Sequence, residues 1–124
     1  MKQFIIIFAA LLFFSIGIVA MGEKKGGGSE TMIISGTIID NMCAGANKDT
    51  IAKFITTHTK ECALKPNCAA SGYSLYHYGS LIPFDGPSSK KIEQFLKQKD
   101  SNLTVTVVAR KAGDKYSLLS IKNK

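Results

Sequence analysis

The chain of 124 residues has no tryptophan, three prolines, three cysteines and fewer acids than bases, 9 against 16. Its length excludes a multidomain enzyme and any fold of about 200 residues or more, such as a TIM barrel. The low proline count, with 45% hydrophobic residues, excludes collagen-like and charge-dominated disordered chains. An odd number of cysteines cannot be fully paired within one chain, so a closed disulfide framework is excluded. The Cys-x-x-Cys arrangement that lowers a thiol pKa is missing as well, which points away from dedicated thiol exchange. There is no internal repeat, and beyond residue 22 no apolar run approaches the roughly 18 residues at which a span becomes feasible.

One such run does open the chain. From Phe4 to Met21 the sequence FIIIFAALLFFSIGIVAM is almost wholly apolar and follows a basic start at Lys2. With Ala20 and Gly22 as small residues at the expected cleavage point, residues 1–22 have the form of a secretory signal peptide, or of an uncleaved N-terminal membrane anchor. No cysteine lies near the cleavage point, which argues against a bacterial lipid anchor. Either way the remainder is expected outside the cytoplasm, periplasmic, secreted or tethered. Residues 23–30 are Gly-rich and polar, a flexible linker. Residues 31–124 then form a single domain. Removing the first 22 residues takes one lysine and no acid, so this domain stays basic.

Five strands are expected. TMIISGTIID, ending at Asp40, is rich in Ile and Thr, with Gly36 as a bulge or bend. YSLYHY (73–78) and 81–84 join through Gly79-Ser80 as a type II′ hairpin. LTVTVVAR (103–110) alternates Leu103, Val105, Val107 and Ala109 against Thr104, Thr106, Val108 and Arg110, and returns through Ala112-Gly113-Asp114 into 116–121. Two helices are expected. One spans 88–99, capped by a serine, with Ile92, Phe95 and Leu96 on its buried face. The other begins near Asn47 and runs through Ile51, Phe54, Ile55 and His58. Strand, helical excursion, hairpin, helix, hairpin is the order of a small five-stranded OB-like barrel, mainly β, with a helical, cysteine-bearing insertion between strands 1 and 2.

All three cysteines, Cys43, Cys62 and Cys68, lie in that insertion together with His58. His58 and Cys62 are four residues apart and share a face if one helix carries both. Pro66 turns the chain and can return Cys68, and the segment from Asp40 to Cys43 closes the group from the other side. The pattern Asp40-x-x-Cys43-Ala44, His58-x3-Cys62-Ala63, Cys68-Ala69-x-Ser71-Gly72-Tyr73, then Phe84-Asp85 and Thr104-Val105-Thr106-Val107, resembles a group of small exported bacterial domains without established activity. The resemblance covers about residues 34–121. It implies an extracytoplasmic β-rich domain with a Cys/His cluster and carries no substrate or partner.

Two chemistries compete for the cluster. Three thiolates and an imidazole suit tetrahedral zinc, and copper(I) as well, so Cys43, His58, Cys62 and Cys68 are candidate metal ligands. A closed zinc site would add on the order of 10 kcal/mol to folding. Against this, the spacing Cys-x14-His-x3-Cys-x5-Cys is not a common finger spacing. Export also permits a disulfide, worth roughly 2.4 kcal/mol for Cys62–Cys68 or 3.5 kcal/mol for Cys43–Cys68, with one thiol left over.

No third group or oxyanion hole accompanies Cys62 and His58, so catalysis is not expected. Tyr73, Tyr76, His77, Tyr78 and Phe84 could stack bases on a basic barrel, but export argues against nucleic acid. An alternative role is a cell-envelope interaction module whose basic, tyrosine-bearing surface meets anionic envelope polymers, with membrane contact only through the N-terminal segment.

Overall fold

The computed structural model describes residues 30–124. The expected signal or anchor at 1–22 and all but the last residue of the linker lie outside the described residues. Within them no helix is long and apolar enough to cross a membrane.

The five strands form where β-branched and alternating residues led us to expect them: β1 Thr31–Asp40, β2 Tyr73–His77, β3 Ser80–Pro83, β4 Thr104–Ala112 and β5 Lys115–Asn123. They make one antiparallel sheet of order β3-β2-β1-β4-β5. Strand β1 is the hub because it is long enough to pair twice. Thr31–Thr37 pair with β4 and Thr37–Asp40 with β2. Gly36 sits at this handover, where a side chain would collide with the Tyr76 carbonyl oxygen. It is a close approach, and the register shift lies instead between Val108 and Ala109, where β4 meets β5.

The β4 alternation holds. Val105, Val107 and Ala109 are fully buried, with Leu103 half-buried beside them. They pack with Ile38, Tyr73, Leu75, Phe84 and Leu118 and with the helix α5, Gly86–Leu96. On α5, Ile92 and Leu96 are fully buried and Phe95 is half-buried at the edge of the core. The β2–β3 turn is one residue earlier than expected. His77 pairs with Ser80, and the central pair is Tyr78-Gly79 with φ of 43° and 85°, the type I′ pattern.

The sheet does not close into a barrel, which corrects the expected architecture. The two edges meet at a single parallel bridge, Phe84 to Tyr116, extended by the Asp85 N–H donating to the Tyr116 carbonyl at 2.9 Å. Closure stops there for local reasons. Strand β3 is four residues long and ends at Pro83, which has no N–H to give. The next β5 donor, Leu118 N–H, goes to the Ser88 hydroxyl of α5 at 2.7 Å. The expected serine caps are therefore sheet pins. Ser89 likewise accepts from Tyr73 N–H at 3.0 Å, and the true cap of α5 is Asp85, which accepts from Ser88 N–H at 2.9 Å.

The two-helix expectation fails in the insertion, which is four short helices: α1 Asn41–Ala46, α2 Ile51–Phe54, α3 Lys60–Ala63 and α4 Pro66–Ala70. A continuous helix through His58 is broken by threonines. The hydroxyls of Thr56 and Thr57 donate back to the Lys53 and Phe54 carbonyls, at 2.7 and 3.1 Å, and Thr59 begins the next helix.

Asp85 gives the fold its clearest pH handle. Hydrogen bonds from Ser117 and Ser88 hold its carboxyl below the usual carboxylate range. A depressed folded pKa means the contribution is complete above the unfolded value, about 3.9, and is lost as pH falls through the folded one. Asp85→Ala should cost about 1–2 kcal/mol, seen as a lower urea midpoint at pH 7, and the variant should lose less stability than the parent on acidification below about pH 4.

Candidate functional site

Each cysteine arrives on its own short helix, two of them capped by a side chain. Asp40 ends β1 with an extended backbone and caps α1, accepting Cys43 N–H at 2.8 Å through Oδ2. Thr59 does the same for α3, accepting Cys62 N–H at 3.1 Å. Both cysteines thus occupy the third helical position, where the cap fixes the backbone and aims the side chain. Pro66 opens α4, whose Cys68 is buried. Two anchors hold these helices to the sheet. The Tyr73 hydroxyl donates to the Ala63 carbonyl at 2.7 Å, and Asn41 donates to the Ser71 carbonyl at 2.9 Å while accepting from Ser74 at 2.6 Å. Ser71 in turn donates to the Cys68 carbonyl at 2.6 Å and accepts Met42 N–H at 3.0 Å, tying α4 to α1.

The expected residues converge, but as two overlapping groups. The donor atoms of Cys43, His58 and Cys62 lie within 4.8 Å of one another, and so do those of Asp40, Cys43 and Cys68. Cys43 belongs to both. Cys68 belongs only to the group with Asp40 and Cys62 only to the group with His58, while Asp40 and His58 themselves touch at 3.0 Å. No disulfide joins any of the three thiols.

His58 and Cys62 meet by a route the sequence did not suggest. His58 lies in the break between α2 and α3, where its N–H donates to the Phe54 carbonyl at 3.0 Å and its ring tilts against Phe54 at 5.2 Å. Its Nε2 is 3.0 Å from Asp40 Oδ1, with both side chains fully buried. A neutral ring that donates Nε2–H to this carboxylate carries its lone pair on Nδ1. That Nδ1 is the one buried side-chain polar atom among the described residues without a hydrogen-bond partner. Native interiors rarely leave such an atom without a ligand, a water or a proton donor.

Asp40 is the functional residue whose part was underestimated from sequence. The signal was present in the Asp-x-x-Cys spacing, which is also the spacing of a helix cap. Its carboxylate sets the electrostatics of the thiols. Burial pushes the Cys43 thiol up to about 12, and a hydrogen bond to Asp40 and its negative charge push the same way, as do the neighbouring Cys62 and Cys68. Burial raises the Cys68 thiol too, again with Asp40 contributing. Without a cation, the cluster favours S–H over thiolate at these two positions.

Neither a protein-family model, nor a curated protein, nor a solved structure gives a significant match to this chain. The functional reading therefore stands on the site itself.

Peptide-resolved alkylation with iodoacetamide should show the Cys43 rate climbing about tenfold per pH unit from pH 7 to 9 without a plateau, since the thiolate fraction grows throughout. Asp40→Asn should raise that rate at fixed pH. A plateau near pH 8 would mean that neither burial nor the carboxylate holds this thiol up.

Proposed function

We propose that this is an exported, non-enzymatic domain that holds one thiophilic metal ion, zinc or copper(I), at Cys43, His58 and Cys62, with Cys68 and Asp40 alongside. The observation that carries the reading is the orphaned Nδ1 of His58, left by a ring whose other nitrogen is fixed by a buried carboxylate. A carboxylate–histidine pair behind a metal sets the ring's tautomer and orientation and raises its basicity as a ligand. Two donors about 2.0–2.3 Å from a tetrahedral centre sit about 3.5–3.8 Å apart, so a triad within 4.8 Å closes on an ion by movements of about 1 Å. The charge balance agrees. Asp40 opposes a bare thiolate at Cys43, and a bound cation compensates both. Two thiolates and an imidazole are soft donors, which suits zinc and copper(I) over magnesium or calcium.

The apolar N-terminal run supports export, and the order β3-β2-β1-β4-β5 with a parallel β3–β5 bridge supports an open, OB-like variant of the barrel. A second reading, contact with anionic envelope polymers, is favoured by a cleft beside His58 that is lined by Lys60, Lys99 and Lys124 and by no acidic side chain. Such binding would weaken with added salt.

Reduced protein titrated with cobalt(II) should develop thiolate charge-transfer absorption at one ion per chain, competed away by zinc. Cys43→Ser should abolish it, because Cys43 serves both groups. His58→Ala and Cys62→Ser should each weaken it strongly, Cys68→Ser should keep the stoichiometry, and Asp40→Asn should cost about 10–100-fold in affinity. Affinity should rise about tenfold per pH unit for each proton released between pH 6 and 8, because metal binding must displace the Cys43 proton. Reduced protein that retains no ion at pH 8 would defeat the proposal.

A further inference from the structure

Cys43 is the shared member of both donor groups, so its sulfur lies within 4.8 Å of Cys62 Sγ and within 4.8 Å of Cys68 Sγ. The three sulfurs do not form one group, which places Cys62 and Cys68 farther apart than that limit. Any disulfide made without rearranging the insertion therefore contains Cys43. Both pairings are mutually exclusive, and both remove Cys43 from the metal triad. The carriers are helices of six, four and five residues, held by caps and single side-chain bonds and not by a long helical ladder. The approach from 4.8 Å to a bonded S–S distance of about 2.05 Å is thus asked of short, separately hinged segments. Cys43 and Cys62 are half-buried and Cys68 is buried, so an external reagent meets the first two before the third.

We infer that the cluster accepts disulfides: it is a thiol–disulfide exchange site in which Cys43 pairs with Cys62, and formation of that bond expels the metal. This rests on the metal reading for its second half only. The absent Cys-x-x-Cys motif is replaced by proximity across the fold. The substrate class is a low-molecular-weight or protein disulfide, R–S–S–R. Cys62 sulfur, as thiolate, attacks one sulfur of R–S–S–R, forming a Cys62–S–S–R mixed disulfide and releasing R–S⁻. Cys43 sulfur then attacks the Cys62 sulfur, breaks the bond to R and releases the second R–S⁻. The two protons lost from Cys43 and Cys62 end on the two released thiolates. The cysteine pair is oxidised by two electrons, and one external disulfide is reduced to two thiols. His58 and Cys68 keep their own atoms throughout, and Cys68 remains as S–H. With Cys43 and Cys62 joined, His58 is the only donor left of its triad, and the Asp40–Cys43–Cys68 group loses its shared sulfur as well, so neither donor group remains complete.

The experiment uses the full chain, reduced and then incubated with oxidised glutathione at pH 8, with products read by intact mass, thiol counting and peptide mapping. The expected result is a loss of two thiols per chain, no retained glutathione, a Cys43–Cys62 linkage and one remaining thiol at Cys68. In Cys43→Ser, glutathione should stay attached at Cys62, because the resolving sulfur is gone. A parent chain that accumulates the stable glutathione adduct overturns the exchange activity. So does a Cys43→Ser chain that forms an internal Cys62–Cys68 bond as readily as the parent forms its own. Cobalt(II) titration of the oxidised product reads the coupling separately. Restoration of the absorption only after addition of a phosphine reductant supports metal expulsion, and an oxidised chain that still binds cobalt(II) overturns it. If the reduced chain binds no metal, the metal reading fails, while the thiol count still decides the exchange activity.

Discussion

The insertion depends on how one buried carboxylate is satisfied. Asp40 is fully buried at the end of the central strand, where an ionised acid without partners would cost several kcal/mol. Its two oxygens are spent in different directions, one on the backbone of Cys43 and one on the ring of His58. The first contact starts α1 at the point where β1 stops. The second draws in His58, in the break between α2 and α3, 18 residues further along the chain. The same atoms that make the turn out of the sheet therefore assemble the cluster, and the strand supplies a rigid base because its last residues, Thr37–Asp40, are paired with β2 while the stretch before them is paired with β4. A site mounted at the end of a central strand is held more firmly than one carried wholly on a loop.

A second theme is the use of serine hydroxyls where backbone partners run out. The β5 edge and the start of β2 each have an N–H that no strand can take, and Ser88 and Ser89 of α5 accept one apiece. Buried donors of this kind must be paired. Pairing them to a helix, and not to another strand, fixes α5 across the gap between β3 and β5. It is also why the sheet stays open here.

The strands were legible because burial on one face writes a period of two into the residues, as at Val105, Val107 and Ala109. The buried face of α5 was legible for the same reason at Ile92 and Leu96, while its cap was misjudged. Pro87 hides the fact that the helix opens two residues before the serines, under Asp85. The cluster's membership was legible from residue type, its geometry much less so. Helical spacing put His58 beside Cys62 through one continuous helix, whereas three threonines divide that helix and Asp40 brings the histidine back. Side-chain competition for backbone carbonyls and a long-range buried carboxylate–imidazole hydrogen bond leave no periodic trace. The same limit applies to closure of the sheet, which turned on the length of β3 and on the fate of a single N–H.

The insertion is built of helices of four to six residues, well below the length at which a helix sustains itself in water. Its order is borrowed from Asp40, Tyr73, Asn41 and the caps, while the sheet has its own ladder and core. Two cooperative units of different depth result. The shallow one can open and reclose with the deep one intact, so that amides of residues 41–72 would exchange with solvent long before those of β1 and β4. Ligand binding then acts on the opening equilibrium of the insertion and not on global unfolding. A chain of this kind can be folded and protease-resistant in its sheet while the chemistry of its cysteines is still undecided.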